Sequence, residues 1–281
     1  MIQFIRHYLL AIQFFTRIPV TGRLADWVGF SPAMLRASAA HFPGVGWLVG
    51  ALVAGFTALL LAGLPESGFS PLVVAVWGTA FGVLITGAFH EDGLADVADG
   101  LGGTQDRERA LVIMKDSRVG AFGAIAVVLV LLAKVSVLAL LGSVSSLVLC
   151  PALFMAHVVS RTWPLLLIRL MPHVGDVAGS KSKPLADQIS WGSLLAAFIW
   201  CLMALALVFY ALLAIEFIAI NDDAMTWLGS LATAIGASGV AFLVMWRWFW
   251  KRLQGFTGDC LGATQQLAEV AFYAGLLCRF S

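Results

Sequence analysis

The sequence predicts an all-α, polytopic integral membrane protein on three observations: an apolar composition, long apolar runs, and charges confined to the segments between them. Of the 281 residues, 60% are hydrophobic and 12% are charged, whereas charged residues make up about 25% of an ordinary soluble domain. The mean hydropathy is +0.93. We therefore expect one integral membrane domain, 1–281, with about six or seven transmembrane helices and additional interfacial amphipathic helices.

Six apolar runs have the length that a helix needs to cross a bilayer, which is about 20 residues. They lie at 42–64, 72–89, 120–141, 147–168, 191–215 and 227–246. A seventh run, 262–277, contains Gln265, Gln266 and Glu269. These polar residues favour either a span that lines a cavity or an interfacial helix.

The N-terminal residues, 1–40, predict an interfacial segment and not a signal peptide. Arg6, His7 and Arg17 interrupt the apolar residues of the first twenty positions. These positions contain no small-residue cleavage site. An amphipathic helix at the membrane surface has this pattern.

Lys and Arg are concentrated on one side of the predicted bundle, because they occur in every other connection between the apolar runs. The connections 65–71, 142–146 and 216–226 contain neither. The opposite side carries Arg6, Arg17, Arg23, Arg36, Arg107, Arg109, Lys115, Arg118, Arg169, Lys181, Lys183, Arg247, Lys251 and Arg252. Because basic residues near span ends are retained in the cytoplasm, we expect a bacterial inner-membrane protein. Its two polar motif segments, 90–119 and 247–262, should face the cytoplasm.

Charge and cysteine placement argue against several other classes of protein. A formal net charge of +1, without a block of consecutive basic residues, speaks against nucleic-acid binding. The four cysteines, Cys150, Cys201, Cys260 and Cys278, form no CxxC pair. Neither a zinc site nor a disulfide framework is therefore expected, and we interpret the cysteines as small apolar packing residues.

The most informative stretch, HEDGLADVADGLGG, follows the second apolar run. Asp92, Asp96 and Asp99 stand at i, i+4 and i+7, so they share one face if the stretch is helical. Like charges on one face repel, and a hard cation such as Mg²⁺ or Mn²⁺ between them makes the arrangement favourable. We predict that the three carboxylates bind metal and, with it, a substrate diphosphate. Glu91, about 100° away on the helix, should point elsewhere.

Other residues of this stretch add to the prediction. Gly93 and Gly100 would let backbone approach a phosphate closely. His90 is a candidate catalytic base, and the alternative is a hydrogen-bonded histidine at the membrane boundary. For the stretch as a whole, the alternative is a solvated loop with incidental acids.

The segment after the acids predicts a short helix with Thr104 as its N-cap. It brings four basic residues near the acids: Arg107, Arg109, Lys115 and Arg118. These side chains, among which we single out Arg118, are candidates to bind phosphate oxygens. The alternative is that they extend along the apolar surface towards the membrane interface.

Two basic residues, Lys134 and Arg161, lie within predicted spans. A charge at membrane depth is costly unless it faces a polar cavity or a partner. We predict that both supply positive charge to substrate phosphate, with a structural ion pair as the alternative.

A second polar motif, GFTGDCLGATQQLAE, follows the sixth run. Gly255, Gly258 and Gly262 surround Asp259, a pattern suited to a tight turn that holds one carboxylate near a metal or a hydroxyl nucleophile. We expect Asp259 to be catalytic, as a metal ligand or general base, and Gly258 to approach the substrate. The alternative is a turn that only connects two helices.

In their order along the chain, these motifs resemble the cobalamin synthase family, also called adenosylcobinamide-GDP ribazoletransferase. The resemblance covers effectively the whole chain. It rests on Phe15-Thr16-Arg17-Ile18-Pro19, Phe42-Pro43 with Gly46 and Gly50, Phe89-His90, Asp92-Gly93-Leu94-Ala95-Asp96, Asp99-Gly100, Asp116-Ser117-Arg118 with Gly120, Ala133-Lys134, Ser160-Arg161, Thr257-Gly258-Asp259 and Leu261-Gly262-Ala263. One departure is Gln266, where members are expected to carry an acid.

The resemblance implies a membrane-embedded, Mg²⁺-dependent enzyme that joins the two halves of the cobalamin nucleotide loop. The ribose 3′-hydroxyl of α-ribazole, or of its 5′-phosphate, attacks the cobinamide-bound phosphorus of adenosylcobinamide-GDP, and GMP leaves. Expected partners are these small molecules, Mg²⁺ and the lipid bilayer, and the sequence is compatible with a homo-oligomer. The acidic and basic motifs agree with this reaction class, because displacement at a diphosphate needs charge neutralisation and in-line positioning more than a covalent nucleophile.

Three other classes share some of these features. A CDP-alcohol phosphotransferase carries a DGxxAR signature, whereas Asp92-Gly93 is followed here by Leu94, Ala95 and Asp96. A prenyltransferase of the aspartate-rich kind needs a second DxxxD on another helix, and the sequence has none. A transporter predicts an internal repeat of spans, and no clear repeat is present in the sequence.

Overall fold

The computed structural model describes residues 2–175, 189–214 and 224–278. Thirteen α-helices occupy these ranges: Ile2–Phe15 (α1), Gly22–Val28 (α2), Pro32–Ser38 (α3), Phe42–Gly63 (α4), Ser70–Thr86 (α5), Phe89–Gly103 (α6), Arg107–Ile113 (α7), Ala121–Val144 (α8), Ser146–Val159 (α9), Trp163–Leu170 (α10), Trp191–Ala214 (α11), Ala224–Leu253 (α12) and Gly258–Leu277 (α13). A 3₁₀ turn, Ala39–His41, joins α3 to α4. Over the same ranges, the β-structure is limited to one isolated bridge between His173 and Phe256. The all-α prediction is therefore confirmed.

Two of the predicted connections fall largely outside the described residues. They are the loop with Lys181 and Lys183 and most of the stretch 216–226. Their placement stays a prediction.

Five helical segments are long and apolar enough to cross a membrane, which confirms the polytopic prediction: Pro32–Gly63, Ala121–Val144, Ser146–Leu170, Trp191–Ala214 and Trp227–Leu253. In four of them, between 17% and 33% of the most apolar stretch is buried inside the protein. These four leave broad apolar faces for lipid. In Ser146–Leu170, 83% of the most apolar stretch is buried, so this segment lies at the centre of the bundle.

The second predicted span, 72–89, breaks before its end. Helix α5 stops there, and α6 begins at an angle of 89° to it. The break is at Gly87 and Ala88, whose φ angles of +66° and +58° are left-handed, so a right-handed helix cannot continue through them. The N–H of Arg17 donates to the carbonyl of Ile85 at 2.6 Å and satisfies a group that the end of α5 leaves free. The acidic motif thus forms a separate helix that turns away from the span.

The seventh predicted run, 262–277, forms most of α13, which is not among the apolar candidate spans. Its burial argues against an interfacial helix, and that it spans the membrane stays a prediction. It is buried among α6, α8, α10 and α12. Gly275 lies so close to α12 that a Cβ on it would be 2.8 Å from the carbonyl oxygen of Thr233, and small residues permit such an approach. Helix α13 therefore carries its polar side chains into the interior.

The predicted interfacial segment, 1–40, folds into helices that pack beside the bundle. The hydroxyl of Tyr8 donates to the carbonyl of Gly44 at 3.0 Å, which ties α1 to the first span. Ile2 and Phe4 are 63% and 49% exposed, as suits a helix at a membrane surface. The interfacial location itself stays a prediction.

Both polar motif segments lie at the same end of the bundle. Nη1 of Arg252, on α12, donates to the carbonyl of Leu101 at the end of α6, at 2.9 Å. In return, Nε of Arg107 donates to the carbonyl of Leu253 at 2.7 Å. These contacts satisfy carbonyl groups at helix ends and tie the two segments together. That this end faces the cytoplasm stays a prediction.

Candidate active site

Carboxylates from α6 and α13 meet on one surface, which we call the acidic face: Asp92, Asp96 and Asp259. Asp92 is exposed, Asp96 is half-buried, and Asp259 lies in the first turn of α13. Burial, followed by the nearby carboxylates of Asp259, Asp92 and Asp99, raises the pKa of Asp96 to about 7. Burial also raises the pKa of Asp259, and the hydroxyl of Thr257, which donates to Asp259 Oδ2 at 3.1 Å, opposes that rise. Two helices therefore concentrate negative charge at one place.

Glycines bring the two helices into backbone contact beside this face. A Cβ on Gly93 would lie 2.8 Å from the carbonyl oxygen of Asp259. One on Gly262 would lie 3.1 Å from the carbonyl oxygen of His90. Only residues without a side chain allow this approach, so the glycines fix how near Asp259 comes to α6.

Glycine placement differs from the prediction that Gly93 and Gly100 approach a substrate phosphate. Gly93 faces the backbone of α13, and a Cβ on Gly100 would meet the Met114 side chain at 2.5 Å and the Ala110 carbonyl oxygen at 3.0 Å. Both glycines serve helix packing here. Gly258 is the first residue of α13, beside the acidic face, and its predicted contact with substrate stays a prediction.

Asp99 differs most from its predicted role as a metal ligand. It is 8% exposed. Its Oδ2 accepts the N–H of Gly120 at 2.7 Å and its Oδ1 accepts the N–H of Gly123 at 2.8 Å. Both oxygens thus cap the N-terminus of α8, where free N–H groups and the helix dipole favour a carboxylate. Side chains on Gly120 and Gly123 would collide with this carboxylate, which explains glycine at both positions.

The short helix after the acidic motif also differs from the prediction in its cap. Asp106, and not Thr104, is the N-cap of α7, because its Oδ1 accepts the N–H of Arg109 at 2.7 Å. Arg118 is exposed, and its Nε donates to Asp116 Oδ1 at 2.9 Å. These hydrogen bonds from Arg118 hold the pKa of Asp116 at about 2. The prediction that Arg118 binds phosphate stays a prediction.

A buried polar cluster lies within the bundle, and its centre is Glu269 on α13. Lys134 Nζ lies 2.7 Å from Glu269 Oε1, and the Tyr273 hydroxyl donates to the same oxygen at 3.0 Å. Gln265 Nε2 donates to Glu269 Oε2 at 2.8 Å. For Lys134, the structure therefore shows the ion pair that was the alternative to phosphate binding.

Glu91 points away from the acidic face, as predicted, and joins this cluster. It is 7% exposed. Its Oε1 accepts the Nε2 proton of Gln266 at 3.0 Å. Gln266 therefore supplies a neutral hydrogen-bond donor to a buried acid.

Arg161 and His90 are both buried next to Phe42. Arg161 is 1% exposed, and its Nη1 donates to the carbonyl of His157 at 2.9 Å. The rings of His90 and Phe42 stack with centroids 5.8 Å apart, and His90 is also 1% exposed. His90 is therefore buried inside the protein. The roles of Arg161 in phosphate binding and of His90 as a base stay predictions.

The acidic face fits a divalent ion only together with a substrate. Within 2–175, 189–214 and 224–278, no three or more His, Cys, Asp or Glu side chains are placed so that they could hold a metal ion. Mg²⁺, however, is commonly held by one or two carboxylates, several waters and substrate phosphates in place of a complete protein cage. Asp92, Asp96 and Asp259 are carboxylates of the kind that such an ion prefers.

Comparison with known proteins shows to which family the chain belongs. A family profile described as cobalamin-5-phosphate synthase matches residues 7–277. The chain belongs to this family. An adenosylcobinamide-GDP ribazoletransferase of Albidiferax ferrireducens is 74% identical over 98% of this chain and 99% of its own length. One from Polaromonas naphthalenivorans is 61% identical over 98% and 99%, and one from Vibrio cholerae is 41% identical over 96% and 92%. No solved structure matches the chain.

Membership of the cobalamin-5-phosphate synthase family confirms the resemblance drawn from the motifs. The sequence did not predict the buried cluster, in which His157 and Glu269 take part. Signals for it were present, because His157 interrupts an otherwise apolar helix, as Lys134 does, and Glu269 lies close to Gln265 and Gln266 in an apolar run. Such intramembrane polar residues are expected to pair with one another, but the sequence does not say which helices face each other.

Proposed function

We propose that the chain is a Mg²⁺-dependent transferase that joins adenosylcobinamide-GDP to α-ribazole, or to α-ribazole 5′-phosphate, with release of GMP. The observation that carries this proposal is the acidic face, where Asp96 meets Asp259 from a second helix. The family and the names of the relatives support the substrates. The placement of basic residues in the sequence supports an inner-membrane location with the acidic face towards the cytoplasm.

In the proposed reaction, the 3′-hydroxyl oxygen of α-ribazole forms a bond to the cobinamide-bound phosphorus. The bond from that phosphorus to the bridging oxygen breaks, and GMP leaves with that oxygen. The hydroxyl proton needs an acceptor, and the carboxylates of Asp96 and Asp259 on the acidic face are the candidates for that role. A bound Mg²⁺ would neutralise charge on the diphosphate and on the leaving GMP. Asp92, Asp96 and Asp259 would hold it.

The decisive experiment incubates the purified protein with adenosylcobinamide-GDP, α-ribazole and Mg²⁺ and measures GMP and the corrinoid product. We expect both products in equal amounts, and none without α-ribazole or with EDTA. A parallel reaction with α-ribazole 5′-phosphate identifies the preferred acceptor. Absence of GMP with both acceptors would overturn the proposal.

Asp96→Asn and Glu108→Gln make a matched pair for assigning the reaction to the acidic face. Both substitutions replace a carboxyl group with an amide at the same end of the bundle, but Glu108 is exposed and pairs with Arg107. We expect Asp96→Asn to lower kcat at least about a hundredfold, as loss of charge stabilisation at a reacting group commonly does. Glu108→Gln should retain activity. Equal losses would mean that the reaction does not take place at the acidic face.

A further inference from the structure

Three polar contacts join α6, α8 and α13 in pairs and close a triangle. Asp99 on α6 accepts the N–H groups of Gly120 and Gly123 at the start of α8. Lys134 on α8 pairs with Glu269 on α13 at 2.7 Å. Gln266 on α13 donates to Glu91 on α6 at 3.0 Å, which returns to the first helix. We call these contacts the polar triangle.

We propose that the polar triangle is a positioning device that sets Asp259 relative to Asp96, and that Glu91, Lys134, Gln266 and Glu269 are positioning residues. This inference rests on the proposed function, since it assumes that the acidic face is where the reaction takes place. None of the four residues touches the acidic face. Each acts through the orientation of the helix that carries it.

Backbone contact alone does not fix this orientation. The close contacts of Gly93 with Asp259 and of Gly262 with His90 lie within one turn of each helix. They set the distance between α6 and α13 at one place and leave the relative rotation of the helices to contacts elsewhere. Gln266 lies seven residues after Asp259, which is about two helical turns or 10 Å further along α13. A hydrogen bond at that distance fixes the direction in which Asp259 points.

The Lys134–Glu269 pair is better explained by orientation than by stability. The two side chains are 5% and 1% exposed. Replacing a buried ion pair with well-packed apolar residues of similar volume often leaves stability unchanged or higher, whereas removing one partner leaves a buried charge without its partner. Such a pair is therefore suited to specifying one arrangement of helices. Here it holds α13 against α8, which Asp99 in turn holds against α6.

The test compares Lys134→Met, Glu269→Gln and the double variant, using kcat, KM for adenosylcobinamide-GDP and the thermal midpoint. We expect each single variant to lose thermal stability. The double variant should regain a midpoint near that of the wild type while its kcat stays at least about tenfold lower, with KM changed less than about threefold, because small misplacements of reacting groups lower the rate of the chemical step. Wild-type kcat in a stable double variant would overturn the proposal.

Gln266→Met and Thr264→Val form a second pair, which decides the question if the double variant does not fold. With little change of shape, Gln266→Met removes the contact to Glu91 and the contact of the same Nε2 to Gln265 Oε1 at 3.0 Å within α13. Thr264→Val also removes one buried hydrogen bond, from Thr264 Oγ1 to Cys260 O at 2.7 Å, but this bond lies within α13 and joins no second helix. We expect a kcat loss of at least about tenfold only for Gln266→Met. Equal kcat in the two variants would overturn the proposal, whereas a wild-type protein that makes no GMP would instead overturn the proposed function.

Discussion

At the residue scale, Asp96 and Asp99 lie one turn apart on α6 and contact different groups. Asp96 is half-buried beside the carboxylate of Asp259. Both carboxylate oxygens of Asp99 accept backbone N–H groups at the N-terminus of α8. One acid is thus free to meet a cation or a substrate proton, and the other is committed to holding two helices together.

Changing each of the two acids to asparagine should therefore have a different effect on the stability of the protein. Asp99→Asn keeps one carbonyl oxygen but loses the charge at the helix terminus, so we expect it to lower the free energy of unfolding by about 1 kcal/mol. Asp96→Asn should leave stability unchanged or raise it, since it removes like-charge repulsion. Thermal unfolding in detergent measures both. Equal destabilisation by the two variants would contradict the assignment.

The sequence predicts the shared face of these acids but not their separate uses. Spacing of i, i+4 and i+7 follows from helix geometry. Which backbone N–H groups lie opposite Asp99 depends on where α8 begins in space, and nothing near Asp99 in the sequence encodes that. The glycines at 120 and 123 were a signal, since they leave the space that its carboxylate occupies.

At the element scale, the crossing of α6 and α13 depends on glycine. Gly93→Ala would place a methyl group 2.8 Å from the Asp259 carbonyl oxygen, so the helices must separate. We expect a loss of about 1–3 kcal/mol of stability and a marked loss of GMP release. Gly55→Ala is the control, because a Cβ there meets nothing within 4 Å. A Gly93→Ala variant as active as Gly55→Ala would show that the close contact is dispensable.

Because α6 and α13 bring Asp96 and Asp259 together, the structure also predicts how the activity losses of their variants combine. If Asp96 and Asp259 act as one unit, either Asn substitution already disables the site. The double variant should then lose little more activity than the worse single variant, since residues that act together are strongly non-additive. GMP release at saturating Mg²⁺ measures this. Losses that multiply would leave Asp259 as a residue of the α13 turn only.

At the scale of the whole molecule, the length of the apolar runs predicts most of the spans. It does not predict features that depend on backbone conformation or on burial between helices. The five spans agree with predicted runs because hydropathy reports the solvent that a helix faces. The turn at Gly87 and Ala88 depends on left-handed φ angles, which hydropathy does not encode. Helix α13 carries too many polar residues to face lipid, and only its packing among other helices shows that it is buried.

Membrane orientation is the remaining prediction at this scale, and it follows from the alternation of Lys and Arg between connections. In a variant without the four native cysteines, Ser143→Cys lies at the exposed end of α8 away from the motif segments, and Gln105→Cys lies exposed between α6 and α7. A membrane-impermeant maleimide added to intact cells with a permeabilised outer membrane should label Ser143→Cys and spare Gln105→Cys until the inner membrane is opened. The reverse pattern would place the acidic face in the periplasm. Cytosolic nucleotides could not reach it there, so the proposed function would lose its substrate.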